Sequence, residues 1–180
     1  MIAHIGGNKL ELVTGDITQQ DVDAIVNAAN RDLACGSGVD GAIHRAGGAA
    51  IMQDTRQRYP EGCPTGGAVI SVAGELPARY VLHAVGPVWR GGQHDEPAQL
   101  AAAYRACLKL AVEHDCRSVA FPAISAGAFG YPLDLAANTA IKAVTDFMKW
   151  HKQPALVRFV LFTEGIYGAF ARSLEAQVPQ

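Results

Sequence analysis

The sequence predicts α/β layering around a mainly parallel sheet. Three observations carry this. Short apolar runs alternate along the chain with stretches of helical periodicity. Several of those runs are nearly continuous in apolar residues, as strands covered on both faces are. The length, 180 residues of which 49% are hydrophobic, suits one ordinary domain. No internal repeat, low-complexity tract or linker interrupts it, so a single domain over residues 1–180 is expected.

Leu10-Glu11-Leu12-Val13 is the first expected strand and Ala24-Ile25-Val26-Asn27 the second. After Gly38, the residues Val39, Ile43, Ala46 and Ala50 mark a helix. Two strands follow, Ala68–Val72 and Tyr80–Val85, separated by Gly74 and Pro77. Leu100, Tyr104, Cys107, Leu108 and Ala111 recur at helical spacing and can face a sheet from one side. Ser118–Pro122 is a strand. The clearest helix then runs from Leu133 through Ala136, Ala137, Ala140, Ile141, Val144 and Phe147 to Met148. Val157–Phe162 is the last strand, and Ile166, Phe170 and Leu174 mark a closing helix.

Composition narrows the function. Lysine plus arginine number 15 against 17 aspartates and glutamates, a formal net charge of −2. That balance offers no counterion-release drive for nucleic acid, although one basic face is still compatible with it. Cys35, Cys63, Cys107 and Cys116 lack the short spacing of a zinc site, so buried or idle thiols in a reducing compartment are expected, with no metal. The N-terminus carries no secretory pattern, and no apolar run approaches the roughly 20 residues of a membrane span. The expectation is a soluble cytoplasmic protein without membrane contact.

In open α/β sheets ligands sit beyond the carboxyl ends of strands. Three segments there are unusual. Gly15-Asp16-Ile17-Thr18 follows the first strand. Asp16 either accepts from an exocyclic amine or caps a short helical turn, and composition favours the cap. Next come Asn27-Ala28-Ala29-Asn30 and Cys35-Gly36-Ser37-Gly38-Val39-Asp40-Gly41. Glycines let a backbone approach a ligand, and the helix behind them presents free N–H groups, an anion site that needs no lysine. Asp40 is awkward there. Either it completes a capping box with Ser37 or it orients or deprotonates a water beside the bound anion, and the two readings are comparable.

The same stretch matches Gly36-x-Gly38-x-x-Gly41, with Glu61 beyond it. That is a weak dinucleotide signal. A long loop intervenes after the strand, and Glu61 lies in the turn-like Tyr59-Pro60-Glu61-Gly62. The third segment, Pro122 through Pro132, holds Ser125, Ala126, Gly127, Ala128, Phe129 and Gly130. Its small residues make a thin loop able to wrap a diphosphate with backbone amides. Phe129 is either a hydrophobic plug or a platform for a sugar or base, and its flanking glycines favour the platform. Two thin loops that each feed a helix can share one diphosphate. A ligand with two phosphates, an adenine-like base and a sugar satisfies all three segments.

These residues together resemble a macrodomain of the bacterial MacroD type. The matching motifs are Gly15-Asp16-Ile17-Thr18, Val26-Asn27-Ala28-Ala29-Asn30, Gly38-Val39-Asp40-Gly41-Ala42-Ile43-His44, Cys63-Pro64-Thr65-Gly66, His83-Ala84-Val85-Gly86-Pro87 and Pro122 through Pro132. They run in family order over nearly the whole chain. The resemblance implies a three-layer α/β/α sandwich with a mixed central sheet, and ADP-ribose and its esters as ligands without a cofactor. It implies that Asp16 meets the adenine amine with the Ile17 backbone beside it. The first loop, with Gly38 and Val39, and the loop Ser125, Ala126, Gly127, Ala128, Phe129 and Gly130 would grip the diphosphate. Phe129 would pack on the distal ribose, Asn30 would hold its hydroxyls, and Asp40 would position the attacking water. Asp40 and Asn30 are thus the implied catalytic pair.

Such enzymes hydrolyse O-acetyl-ADP-ribose and remove mono-ADP-ribose from aspartate and glutamate side chains of modified proteins. The chain departs from the family pattern at Cys35 and Ser37, which interrupt the usual glycine run. Ala126 and Ala128 likewise stand where a threonine and a branched residue are usual. A looser second loop is expected. His44, one turn after Asp40, either helps orient it or is a packed helix histidine, the favoured reading. The other histidines show no ligand spacing. Trp89-Arg90-Gly91-Gly92 resembles the family's surface loop and receives no chemistry. The rival readings are a non-catalytic ADP-ribose reader, an oxidoreductase and an RNA binder. Joint presence of Asn30 and Asp40 favours the hydrolase.

Overall fold

Successive side chains of a strand point to opposite faces. Runs that are apolar at both parities must therefore be covered twice. The computed structural model, which describes residues 1–179, shows how. In chain order the elements are β1 (Ile2–Ile5), β2 (Asn8–Thr14), a 3-10 turn (Ile17–Gln19), β3 (Ala24–Ala28), α1 (Gly38–Gly47), α2 (Ala49–Arg58), β4 (Ala68–Val72) and β5 (Tyr80–Ala84). Then follow α3 (Glu96–Glu113), β6 (Ser118–Phe121), α4 (Leu133–Trp150), β7 (Leu156–Leu161) and α5 (Glu164–Gln177). The strands form one sheet in the order β1-β2-β7-β6-β3-β5-β4.

Each parity meets its own core. Val26 of β3, Val119 and Phe121 of β6, and Val157 and Phe159 of β7 pack with Leu100, Tyr104 and Leu108 of α3, Ile141 and Val144 of α4, and Phe170 of α5. The intervening Ile25, Ala120 and Val160 face the other way, onto Ile43 of α1 and Ile51 of α2. The result is a three-layer α/β/α sandwich. The five inner strands are mutually parallel, while β1 and β4 pair antiparallel at the two edges. The sheet is thus mixed, with the parallel part in the middle where it is covered on both sides.

Two local features differ from the sequence expectation. β1 is absent from it. Ile2 is largely exposed and only Ile5 is buried, so this edge strand carries almost no apolar signal. The helix expected from Val39 through Ala50 is in fact two helices. Gly48 adopts a positive φ of 82° and ends α1, and Ala46 and Ala50 lie exposed. Gly47 permits the break, because a Cβ there would sit 2.2 Å from Ile51 Cδ1. No helix among the described residues is long and apolar enough to cross a membrane.

The carboxyl ends of β2, β3, β6 and β7 open on one edge of the sheet. The segments that leave them converge there, as parallel α/β topology dictates.

Candidate functional site

These segments enclose a cavity of about 690 Å³. Its walls are Gly15–Ile17, Ala28–Asn30, Gly36–Asp40 and Pro122–Phe129, with Arg45 and Phe162 also on the lining. Of the residues singled out from the sequence, Asp16, Ile17, Asn30, Gly38, Val39, Asp40, Ser125, Ala126, Gly127, Ala128 and Phe129 all line it. Gly130 does not. It turns the loop instead, with φ at 72° and its N–H donating to Gly127 O at 3.0 Å.

The first loop leaves β3 and enters α1. Gly41 lets the helix close on it, since a Cβ there would meet Gly36 O at 2.7 Å. The capping-box expectation needs correction. Ser37 is the N-cap residue but makes no side-chain cap bond, and Asp40 reaches past it to the Gly36 N–H. Asp40 is 5% exposed. Its Oδ1 accepts from Asn27 Nδ2 at 2.6 Å and lies 3.4 Å from His44 Nε2, while Oδ2 takes the Gly36 N–H. Burial alone would raise its pKa. Donation from His44, Asn27 and Gly36 outweighs that and holds the carboxyl below the usual range. Asp40 is therefore an anion of low basicity at neutral pH. A carboxylate has room for about four donors, so one place remains on Oδ2.

Asn30 is braced within its own loop. Its Nδ2 donates to Ala34 O at 2.8 Å, and its Oδ1 accepts from Ala34 N at 3.0 Å. Asp16 does cap the 3-10 turn, its Oδ1 accepting from Thr18 N at 2.9 Å and Thr18 Oγ1 at 2.7 Å. Among the described residues its Oδ2 has no partner, which leaves an acceptor on the cavity wall.

The second loop is held from outside. Ser125 carries a positive φ of 66°, a conformation non-glycine residues seldom adopt. Its Oγ donates to Pro87 O at 2.8 Å, and its carbonyl accepts from Tyr131 N at 3.0 Å. Tyr104 of α3 anchors the loop's start, donating to Pro122 O and accepting from Ile124 N at 3.0 Å. The Trp89 segment, to which the sequence assigned no chemistry, has a structural task here. Trp89 N donates to Phe129 O at 2.8 Å. Glu96 holds that segment in turn, accepting from Arg90 N, Gly92 N and His94 N. Burial pushes the Glu96 carboxyl up, but these main-chain donors prevail and hold it at about 2.

Among the described residues, the N–H groups of Ser37, Gly38 and Val39 and of Gly127, Ala128 and Phe129 find no partner in the chain. Two sets of free donors therefore line one cavity, one of them at a helix N-terminus. The charged side chains on the lining are one guanidinium, Arg45, and two carboxylates, Asp16 and Asp40. Most of the donors facing the cavity are therefore main-chain N–H groups, with Arg45 the one cationic side chain on the lining.

Sequence reasoning missed three groups. Phe162 is 78% exposed and lies on the lining just past β7. Its place at a strand's carboxyl end was the available signal. Arg45, one residue beyond His44, also lines the cavity. His83 and Asn27 form a buried polar pair behind Asp40, with His83 stacked on His44 at 6.3 Å between ring centroids. His44 itself is both packed and in contact with Asp40. The four cysteines are free thiols, with Cys35 exposed on the first loop and the rest buried.

A three-layer sandwich with a main-chain anion cradle at its strand ends defines a nucleotide-type ligand domain. Comparison makes this particular. The macro domain family model matches residues 26–140. An O-acetyl-ADP-ribose deacetylase of Salmonella typhimurium is 51% identical over 173 residues, covering 94% of this chain and 96% of that protein. A macro domain-containing protein of Caldanaerobacter subterraneus is 49% identical over 169 residues, covering 93% and 96%. Among solved structures, an Oceanobacillus iheyensis macrodomain with ADP superposes with a TM-score of 0.94 at 38% identity, covering 99% of this chain and 96% of that one. A Trypanosoma brucei macrodomain in complex with ADP-ribose gives 0.82 at 38% identity, covering 92% and 68%. The chain belongs to the macro domain family.

Proposed function

We propose that this chain, as one domain over residues 1–180, is a hydrolase that frees the ester-linked group from the distal ribose of ADP-ribose. Its substrates are O-acetyl-ADP-ribose and mono-ADP-ribosylated aspartate and glutamate side chains. The relatives named as deacetylases, at 51% identity, support the first. The second follows from chemistry, because both bonds are esters of the same sugar. The observation that carries the reading is Asp40, a buried carboxylate with one acceptor place left, set beside two walls of free N–H donors.

The walls hold the diphosphate. Asp16 accepts from the adenine amine, Phe162 offers a face to the base, and Phe129 packs on the distal ribose. Asn30, stiffened by Ala34, holds ribose hydroxyls. A water donates to the free place on Asp40 and presents its lone pair to the ester carbonyl carbon. Attack forms the new C–O bond, and collapse breaks the bond to the ribose oxygen. The water's proton leaves to a phosphate oxygen of the substrate, because the low basicity of Asp40 suits it to aiming rather than abstraction. The phosphate returns that proton to the leaving ribose oxygen, and the products are a carboxylic acid and ADP-ribose.

Incubation with O-acetyl-ADP-ribose and with an aspartate- or glutamate-modified protein tests this directly. Release of acetate and of ADP-ribose is expected. Asp40→Ala is expected to lose about a hundredfold or more in turnover while still binding ADP-ribose. Tight binding without any product would assign the chain as a reader instead.

A further inference from the structure

Behind Asp40 runs a line of buried polar groups that the cavity does not touch. Asn27 of β3, His83 of β5 and Ser71 of β4 lie on three neighbouring strands, each at most 1% exposed. Polar groups this deep are costly unless each bond is made in the right sense. Here the sense can be followed from one end. Ser71 Oγ donates its hydrogen to Val72 O at 2.9 Å. Its contact with His83 Nε2, at 2.8 Å, must then be one in which the ring donates. In a neutral imidazole the other nitrogen is the acceptor, and His83 Nδ1 faces Asn27 Nδ2 at 3.1 Å. The second hydrogen of that amide goes to Asp40 Oδ1 at 2.6 Å.

One further fact shows what the line is for. Asn27 Oδ1 is buried and meets no donor among the described residues. Turning the amide over would set that oxygen against the Asp40 carboxylate and the lone pair of His83 Nδ1. The amide is thus locked in the one orientation that serves Asp40.

We propose that His83, backed by Ser71, is a positioning residue for Asp40: by taking one amide hydrogen of Asn27 it aims the other at Oδ1. The inference rests on the reading of Asp40 as the holder of the attacking water. His83 touches no substrate. It acts through Asn27, and its effect falls on turnover rather than on affinity.

The test uses the full chain and its Asp40→Ala, His83→Leu and His83→Asn variants. O-acetyl-ADP-ribose turnover gives kcat, calorimetry with ADP-ribose gives Kd, and a thermal melt gives Tm. Asparagine carries an acceptor near the place of the imidazole Nδ1, so His83→Asn restores what His83→Leu removes. His83→Leu is expected to lose about tenfold to a hundredfold in kcat, the scale of a misplaced catalytic group, with Kd changed by less than about twofold. His83→Asn should recover most of that loss. Equal kcat losses in both variants that track Tm would overturn the proposal. An unimpaired His83→Leu beside an inactive Asp40→Ala would sink this inference alone. A fully active Asp40→Ala would remove the water reading, and this inference with it. Imidazole nitrogen NMR on the parent chain needs no variant to fold. Neutral pH should show the hydrogen on His83 Nε2, and a hydrogen on Nδ1 refutes the line.

Discussion

His83 makes the chain's stability fall with acid in a calculable way. Burial is the largest influence on its imidazole, followed by repulsion from His44 on α1. Asp40 on α1 and Asp54 on α2 oppose these but do not prevail, and the pKa drops from 6.5 to about 4. The folded state therefore binds fewer protons than the unfolded state between those values. Stability from this group is complete above pH 6.5 and is lost as pH falls toward 4. At about 1.4 kcal/mol per pKa unit, the full loss is about 3 kcal/mol. At pH 5 the unfolded imidazole is almost wholly protonated and the folded one is not, so about 2 kcal/mol has already gone. Urea unfolding of the parent and of His83→Asn at pH 8, 6 and 5 isolates this share, because groups common to both proteins cancel in the difference. The parent should lose about 2 kcal/mol more than the variant between pH 8 and 5. Parallel pH profiles would show that His83 is not held neutral, and the donor–acceptor order behind Asp40 would lose its basis.

Other expectations follow from single contacts. Gly86→Ala places a Cβ 2.3 Å from Ser125 Oγ and 2.6 Å from Ile124 Cγ2. The second loop must shift, with about 1–3 kcal/mol lost in a urea melt and weaker ADP-ribose binding by calorimetry. Phe162→Ala should leave Tm unchanged, since the ring is 78% exposed. It should raise the ADP-ribose Kd about tenfold, the scale of one base–aromatic stack. Glu96→Gln turns one of two acceptors into a donor, set either against the Arg90 and Gly92 N–H groups on Oε2 or against the His94 N–H on Oε1. Hydrogen exchange at Arg90, Gly92 and His94 should quicken while β6 and β7 stay protected.

The strands of the sheet centre were legible because a core on each side imposes nearly continuous apolar runs, as in Val119-Ala120-Phe121 of β6. β1 was not, since Ile5 alone is buried there. The α1–α2 break was hidden because Ala46 and Ala50 keep helical spacing, and only the Gly47-Gly48 pair betrayed it. The cavity walls were legible for a different reason. Small residues at strand ends mark ligand loops wherever a parallel sheet puts them together. The Ser71–His83–Asn27 line was illegible, because each member sits on a different strand. Their meeting depends on the order β3-β5-β4, which hydrophobic pattern does not encode. For the same reason the histidines, judged by spacing along the chain, gave no hint that His44 and His83 stack.

A cradle of main-chain donors also decides how the protein meets its ligand in solution. With a single guanidinium against two carboxylates at the cavity, the mouth presents no positive funnel to a doubly charged visitor. Capture should run without electrostatic acceleration and change little with ionic strength. Discrimination then comes after arrival, from how well a pyrophosphate fits a fixed shape, so crowding by other cellular polyanions costs this pocket little of its selectivity.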